Sequence, residues 1–403
     1  MKPLNGVTVI DFTRVLAGPT CTRILAELGA DVTKVEPPSG DLARAGSPTA
    51  AGVAGYFLQL NGGKRNLCID LNYPQARDIV FKLCAQADVV VENFRPGTMA
   101  SFGLNYEKVA AQNPATIFVS MSGYGQDSPW SGRPAFAPTV QAESGATATH
   151  LRHYGESLEA PVNDSSSHAD LYTGLEGAIA TLAALNLRNA TGKGTHADVS
   201  MMATMLNVNE RLHGFINDLD NDNNEPWALS APDSPIVELA DGTLVTLITS
   251  PVWSPAFSRY CTMMGRNDLR VDPRFATPDL RRTNLNALMD EVRAWIRTFR
   301  SFEELEAQVS GAGGLAVGRV RDPKDVLDSA WAEAMQPTYE IEIGNRSVRL
   351  PKGPWRFSGE DTGALSPAAH QGAHNREVLA EAGLTQAQID SLYEQGIVHE
   401  ISG

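Results

Sequence analysis

One aspartate stands out by its context. Asp170 follows the polar run Ser165-Ser166-Ser167-His168-Ala169 and immediately precedes the apolar stretch LYTGLEGAIATLAAL, so it sits where a helix should begin. A carboxylate there is held ionised by the helix dipole and oriented by free backbone N–H groups, which suits a carboxylate nucleophile. The same amides would help stabilise an oxyanion during acyl transfer. Capping alone also accounts for the residue, because Asp is among the best N-cap residues and contributes about 0.5–2 kcal/mol. The two roles are compatible.

A second cluster is Val91-Glu92-Asn93-Phe94-Arg95-Pro96-Gly97, at the carboxyl end of an apolar strand-like run. In an open α/β sheet that edge is where ligands bind. Arg95 could meet a phosphate and Phe94 could stack on a base. The plain alternative is a strand-to-helix turn closed by Pro-Gly with Arg95 solvated. Arg14 and the pair Lys64-Arg65 carry the same ambiguity. Other chemistries lack their residues. The first strand is followed by Thr13-Arg14-Val15-Leu16-Ala17-Gly18-Pro19, whose single glycine is not the G-x-G-x-x-G that lets a backbone approach a dinucleotide pyrophosphate. There is no GxxxxGK[ST], GxSxG or HExxH, and His370 and His374 flank Gly372 with no acidic third ligand nearby, so no metal site is expected.

The elements that must hold these residues alternate. Strands are expected at Val7–Phe12, Asp31–Glu36, Asn66–Leu71, Asp88–Phe94 and Thr116–Ser122. Helices are expected after Pro19 as far as Leu28, over Pro74–Gln86 and around Tyr106–Gln112. Such alternation with apolar strands means a parallel sheet covered on both faces. Leu171–Leu187 reads as helix. Asn217–Asn224 (NDLDNDNN) is a turn-prone cluster and the expected interdomain linker. Beyond it, Ser234–Leu247 looks like a hairpin turning at Asp241-Gly242, with helices near Ala256–Met264, Asn284–Thr298 and Phe302–Ser310 and a closing helix near Thr385–Gln395. The middle third therefore reads as a smaller α+β domain.

With 403 residues, two domains are expected. No apolar run approaches the roughly 18 residues of a membrane helix, and no signal peptide is evident. Cys21, Cys68, Cys84 and Cys261 stand apart without a CxxC pair, as reduced thiols of a cytoplasmic protein would. The formal net charge of −14 argues against a nucleic-acid partner. A polyanionic ligand would bind only where a few Lys and Arg gather locally.

Taken together, the chain resembles the class III CoA-transferase family, which also includes 2-methylacyl-CoA racemases and carnitine-CoA transferases. The resemblance is carried by VTVIDFTRVLAGPTCTRILAELGADVTKVEPPSGD at Val7–Asp41, GGKRNLCIDL at Gly62–Leu71, ADVVVENFRPGTM at Ala87–Met99 and FVSMSGYGQDSPW at Phe118–Trp130. ADLYTG at Ala169–Gly174, TGKGTHADVSM at Thr191–Met201, DPRFAT at Asp272–Thr277 and HNREVLAEAGL at His374–Leu384 continue it in register. It implies a large Rossmann-like, parallel-sheet domain made from both chain ends (1–216 and 331–403), a small α+β domain at 225–330 joined through the linker at 217–224, and an interlocked homodimer. It places the nucleophilic aspartate on Asp170. The CoA site would be formed by Arg14 and the backbone near Val15, Leu16 and Ala17, by Asn93, Phe94 and Arg95, with Lys64 and Arg65 nearby. Acyl-CoA and a small carboxylic acid are the implied substrates, with no permanently bound cofactor.

The chain also departs from relatives. Formyl-CoA transferase-like members hold CoA with an Arg-Met pair where Ser101-Phe102 stands here. Their first-loop glutamine is Leu16, and their glycine-rich lid has no counterpart. These departures speak against an oxalate- or formate-type substrate. Racemase relatives place a Gly-His-Asp segment opposite the aspartate; the matching positions are Ala135, Phe136 and Ala137, and a second carboxylate of theirs falls near Ser250. Inverting an α-carbon needs a base and an acid on opposite faces, and His168 is expected on the same side as Asp170. CoA transfer through an aspartyl-CoA thioester is therefore the expected reaction, ahead of racemisation and of a non-catalytic CoA-binding role.

Overall fold

A computed structural model of the chain describes residues 1–154, 166–210, 212–217, 236–247, 250–312, 315–359 and 362–401. Two compact units emerge. One comprises Met1–Thr147, Asn163–Glu210 and Gln336–Gly403; the other comprises Ala148–Val162 and Arg211–Met335. Apart from Asn217, the segment 217–224 expected as a linker lies outside the described residues.

In the first unit, short apolar runs become strands because both of their faces are covered. β1 (Thr8–Asp11), β2 (Asp31–Glu36), β3 (Arg65–Cys68), β4 (Val89–Glu92), β5 (Ile117–Ser122) and β6 (His196–Ser200) form one sheet in the order β3-β2-β1-β4-β5-β6. Every pairing is parallel. This is the doubly wound order, with its reversal between β1 and β4. The sixth strand was not expected: it is a half-polar edge segment (HADVS) without an apolar run.

Neighbouring residues of each strand feed opposite cores. Ile10, Val35, Val90 and Phe118 pack with Ile79, Val80 and Leu83 of α3 (Pro74–Gln86) and with Leu379 and Leu392 from the C-terminal residues. Val9, Val32, Val89, Val91 and Val119 pack with Leu25 of α1 (Ala17–Glu27) and with Ala178 and Leu185 of α6 (His168–Thr191). Pro74 opens α3, where its missing N–H costs nothing. Close packing of α6 on the sheet side depends on glycine. A Cβ at Gly174 would fall 2.5 Å from the Ala17 carbonyl oxygen, and one at Gly177 2.7 Å from Met121 Sδ. The remaining helices used below are α2 (Gly55–Asn61), α4 (Tyr106–Gln112) and α5 (Ala137–Glu143). The C-terminal part adds an antiparallel hairpin, Thr338–Ile343 with Arg346–Pro351, also absent from the sequence expectations.

The second unit has a three-stranded antiparallel sheet, with Leu244–Leu247 between Ile236–Glu238 and Val317–Arg319. Helices Ser254–Met263, Leu285–Ile296 and Phe302–Ala312 supply its core, including Tyr260, Val292, Ile296 and Leu305.

Candidate active site

The reversal point of a doubly wound sheet leaves a crevice outside the carboxyl ends of its strands. Here the loops after β1 and β4 meet at that point and are tied together. The Arg14 N–H donates to Asn93 Oδ1 at 2.9 Å, and Asn93 Nδ2 donates to the Arg14 carbonyl at 2.9 Å. The Arg14 guanidinium lies 4.9 Å from the Phe94 ring centroid. Glu92 supports the second loop from below: its Oε2 accepts from Phe94 N at 2.8 Å, and burial pushes its carboxyl up to about 7.

A cleft of about 300 Å3 opens over these loops, lined by Arg14, Val15, Ala17, Asn93, Phe94 and Arg95 on one side. Met121, Ser122, Arg133, Ala135, Phe136, Asp170 and Thr173 line the rest. A second hollow of about 290 Å3 shares Arg14 and Phe94 with it and runs over Phe12, Glu36, Asp41, Ile69 and Phe102. In a chain of net charge −14, Arg14 and Arg95 outnumber the one lining carboxylate, Asp170, while Arg133 is already paired with Glu143.

Asp170 sits on α6, but not at its cap. Ser167 is the N-cap and Asp170 lies two residues inside the helix start, in the first turn. Burial raises its carboxyl to about 6, opposed by a hydrogen bond from the Ala137 N–H at the start of α5. The helix start does not leave it an exposed carboxylate: burial shifts it upward while the Ala137 N–H favours its ionised form. Phe136, 65% exposed, shares the cleft with Asp170. Arg14, Arg95, Arg133 and Asp170 are the ionisable residues among its described lining, and no second carboxylate or histidine is present there. His168 instead stacks on Tyr172 at 5.6 Å.

The Leu16 side chain is buried, while Val15 and Ala17 on either side of it line the cleft. Two of the anticipated cationic residues stand elsewhere. Lys64 is buried beneath the cleft, 3.1 Å from Asp11 and hydrogen bonded to Thr22 and Asn61; burial pulls its ammonium down to about 8 against the attraction of Asp11. Arg65 is occupied by Asp31, Glu377 and Glu381. Their cationic type suggested a phosphate ligand, but carboxylates of the fold already neutralise them.

Asp41, Tyr56 and Arg133 were not singled out from sequence. Asp41 accepts from Val15 N at 3.0 Å and pairs with buried Lys34 at 3.0 Å. Tyr56, on α2, is pushed up to about 12 by burial and by the field of the Asp170 and Asp41 carboxylates. His374 accepts from Asn66 N through Nδ1, and His370 faces Glu400. Among the described residues no His, Cys, Asp and Glu cluster could hold a metal, and no helix is long and apolar enough to cross a membrane.

The model of CoA-transferase family III matches residues 4–375. The chain belongs to that family. This CoA-transferase is 29% identical to a formyl-CoA:oxalate CoA-transferase of Streptomyces avermitilis, over 98% of this chain and 100% of the relative. It is 30% identical to a succinyl-CoA:mesaconate CoA-transferase of Haloarcula hispanica, over 95% and 97%. Among solved structures it is similar to Rv3272 from M. tuberculosis, with TM-score 0.79 and 29% identity over 94% of this chain and 99% of that one.

Proposed function

We propose that the enzyme moves CoA from an acyl-CoA donor to a carboxylic acid acceptor through an aspartyl-CoA thioester on Asp170. The observation that carries this reading is a single carboxylate, Asp170, half-buried in a cleft otherwise charged only by arginines. An Asp170 oxygen attacks the thioester carbonyl, the C–S bond breaks, and the CoA thiolate leaves a mixed aspartyl-acyl anhydride. The thiolate attacks the aspartyl carbon of the anhydride and expels the donor carboxylate, giving the aspartyl-CoA thioester. The acceptor carboxylate then attacks that thioester, and the steps run in reverse.

A partly desolvated carboxylate is well suited to this sequence. With its affinity for protons raised, it is the better nucleophile, yet it remains mostly ionised at neutral pH. Arg14 and Arg95 would bind CoA phosphates, with the backbone of Val15 and Ala17 and the side chains of Asn93 and Phe94 completing the site. The second hollow, which shares Arg14 and Phe94 with the cleft, suits the nucleotide end of CoA. Remote binding energy of that kind can offset the cost of orienting the acyl group. Racemisation is disfavoured because Phe136 offers no proton where a second acid or base would be required.

The proposal includes a homodimer in the cytoplasm. Leu171, Leu175, Ile179 and Leu182 form an exposed apolar stripe on α6 that a second copy would cover, and the four free, buried cysteines accord with a reducing compartment. Trapping tests the chemistry. Incubation with acyl-CoA and then hydroxylamine or borohydride should modify Asp170, and sustained transfer with Asp170 unmodified would refute the covalent route. Rapid solvent-deuterium exchange at Cα of a 2-methylacyl-CoA would favour the racemase instead.

A further inference from the structure

We infer that Glu92 is a positioning residue for the CoA site and that Ser120 and His196 set its charge, so that the CoA-binding loop firms as Glu92 ionises. The inference rests on the CoA site proposed above at Asn93, Phe94 and Arg95 and adds a control to it.

Three parallel strands bring the groups into line. Glu92 of β4 pairs with Ser120 of β5, and Ser120 pairs with Asp198 of β6, so the three side chains share one face at the carboxyl end of the sheet. His196, two residues before Asp198, stands on that face too, with Nε2 2.9 Å from Ser120 Oγ. Rings hold the imidazole there: it stacks on Tyr106 at 5.2 Å and meets Phe118 edge to face at 5.6 Å. A hydrogen bond from the Ser120 hydroxyl favours the ionised form of Glu92. A chain therefore runs from half-buried His196 through Ser120 to Glu92, which is 4% exposed.

The row of side chains reaches two cleft loops. Glu92 Oε2 takes the Phe94 N–H at 2.8 Å. Asp198 Oδ2 takes the Gln126 N–H at 2.8 Å, just past Ser122 and Gly123 of the cleft lining. Hydrogen bonds to an ionised carboxylate are roughly twice as strong as neutral ones. Ionised Glu92 thus holds Asn93–Arg95 in place before CoA arrives, and a loop already ordered binds more tightly than one that binding must order.

The surrounding charges poise this chain near neutrality. Burial, reinforced by Asp198, raises the Glu92 carboxyl against the Ser120 and Phe94 hydrogen bonds, to about 7. Burial lowers His196 against the attraction of Asp198, Glu107 and Asp127. His196 is then a neutral ring at pH 7, with one nitrogen donating and the other accepting. As pH falls, a proton binds the free ring nitrogen, the Nε2 proton passes to Ser120 Oγ, and the Ser120 hydroxyl proton passes to Glu92. One proton has been gained and His196 ends neutral. Below about 7 the loop is held by a neutral acid, and above it by a carboxylate.

The test is calorimetric binding of CoA itself to the full-length protein, in which no acyl group moves. Between about pH 6 and about pH 8, the tightening of Kd in wild type should exceed that in Glu92→Gln by about fivefold, as the ionised fraction of Glu92 rises. The glutamine keeps an acceptor for the Phe94 N–H but cannot ionise, and titration of the CoA phosphates and of Asp170 is common to both proteins. Ser120→Ala leaves the carboxylate intact and removes its support, so the midpoint of the pH dependence should move up by about one unit. Equal pH ratios in wild type and Glu92→Gln, tighter wild-type binding at pH 6, or an unmoved midpoint in Ser120→Ala would each overturn the inference. If Arg95→Ala binds CoA as tightly as wild type, the CoA site is misplaced and the inference falls with it. Weakened binding by Arg95→Ala alongside equal pH ratios defeats the control by Glu92 alone.

Discussion

The carboxylate of Asp41 accepts a hydrogen bond from the backbone N–H of Val15 at 3.0 Å, and Val15 has a φ of 67°. A β-branched residue in the left-handed region carries strain on the order of 1–2 kcal/mol. The same carboxylate takes the Ala43 N–H at 3.0 Å and pairs with Lys34, whose ammonium also donates to the Thr13 carbonyl at 2.5 Å. Burial alone would raise the Asp41 carboxyl, but Lys34 and these N–H groups hold it below its ordinary value. One buried ion pair thus clamps both ends of the loop that walls the cleft. Asp41→Asn should destabilise the fold by about 3 kcal/mol, because it leaves Lys34 buried without its counter-charge. It should also raise KM for acyl-CoA roughly tenfold. Thermal melts and steady-state kinetics on the same preparation separate the two effects. Val15→Gly should keep the loop shape and melt no lower than wild type.

Burial pushes the Asp170 carboxyl from its ordinary value of 3.8 up to about 6, so the folded state holds the proton more tightly. Between those values the folded chain binds more protons than the unfolded one, and stability falls as pH rises through about 6. Asp170→Asn removes that loss. The variant should therefore be more stable than wild type at pH 8 and gain nothing at pH 3.5, read by denaturant midpoints at both pH values. Its transfer activity should fall by at least about 10^4-fold. In wild type, kcat/KM should decline below a pKa near 6 as the nucleophile becomes protonated. A flat acid limb down to pH 5 would contradict this assignment.

What was legible in the sequence follows from what sets each feature. Five sheet strands announced themselves as apolar runs, and Pro74–Gln86 could be bounded because Pro opens it and a strand follows. β6 escaped because an edge strand with His196 and Asp198 lacks such a run. The hairpin Thr338–Pro351 alternates apolar and charged residues, a half-buried strand signal lost within a polar tail. Asp170 and the Asn93–Arg95 loop were found through motifs. The separation of Lys64 and Arg65 from Arg14 and Arg95 was not legible, since a basic residue reads the same whether a buried aspartate or a ligand faces it. Tyr56, Asp41 and Arg133 reach the site by tertiary folding alone.

Tyr56 offers a test of oxyanion stabilisation. Burial and the field of Asp170 push its phenol up to about 12, so its hydroxyl stays a potential hydrogen-bond donor well beyond neutral pH. Tyr56→Phe keeps the ring and removes the donor. If the hydroxyl stabilises charge as the anhydride forms, kcat should drop about 100-fold with little change in KM. A change confined to melting temperature would assign the phenol a packing role.

The division among the basic residues yields the last expectation. Arg14 and Arg95 line the cleft, while Arg65 is held by Asp31, Glu377 and Glu381 and Lys64 lies buried on Asp11. Removing Arg14 or Arg95 as Ala should raise KM for acyl-CoA about tenfold each and weaken its dependence on salt. Arg65→Ala should leave KM within about twofold, because exposed ion pairs contribute little and none of its partners faces the cleft. Lys64→Met should act through stability instead. It strands the Asp11 carboxylate, held below its ordinary value in part by Lys64, at a cost of about 3–5 kcal/mol. Pairing it with Asp11→Asn should recover part of that loss, because no carboxylate is then stranded and the amide oxygen can still accept from Thr13 or Thr22. Recovery of melting temperature in the double variant, with KM near wild type, would separate a buried structural pair from a phosphate contact. A large KM increase persisting in the refolded double variant would return Lys64 to the CoA site.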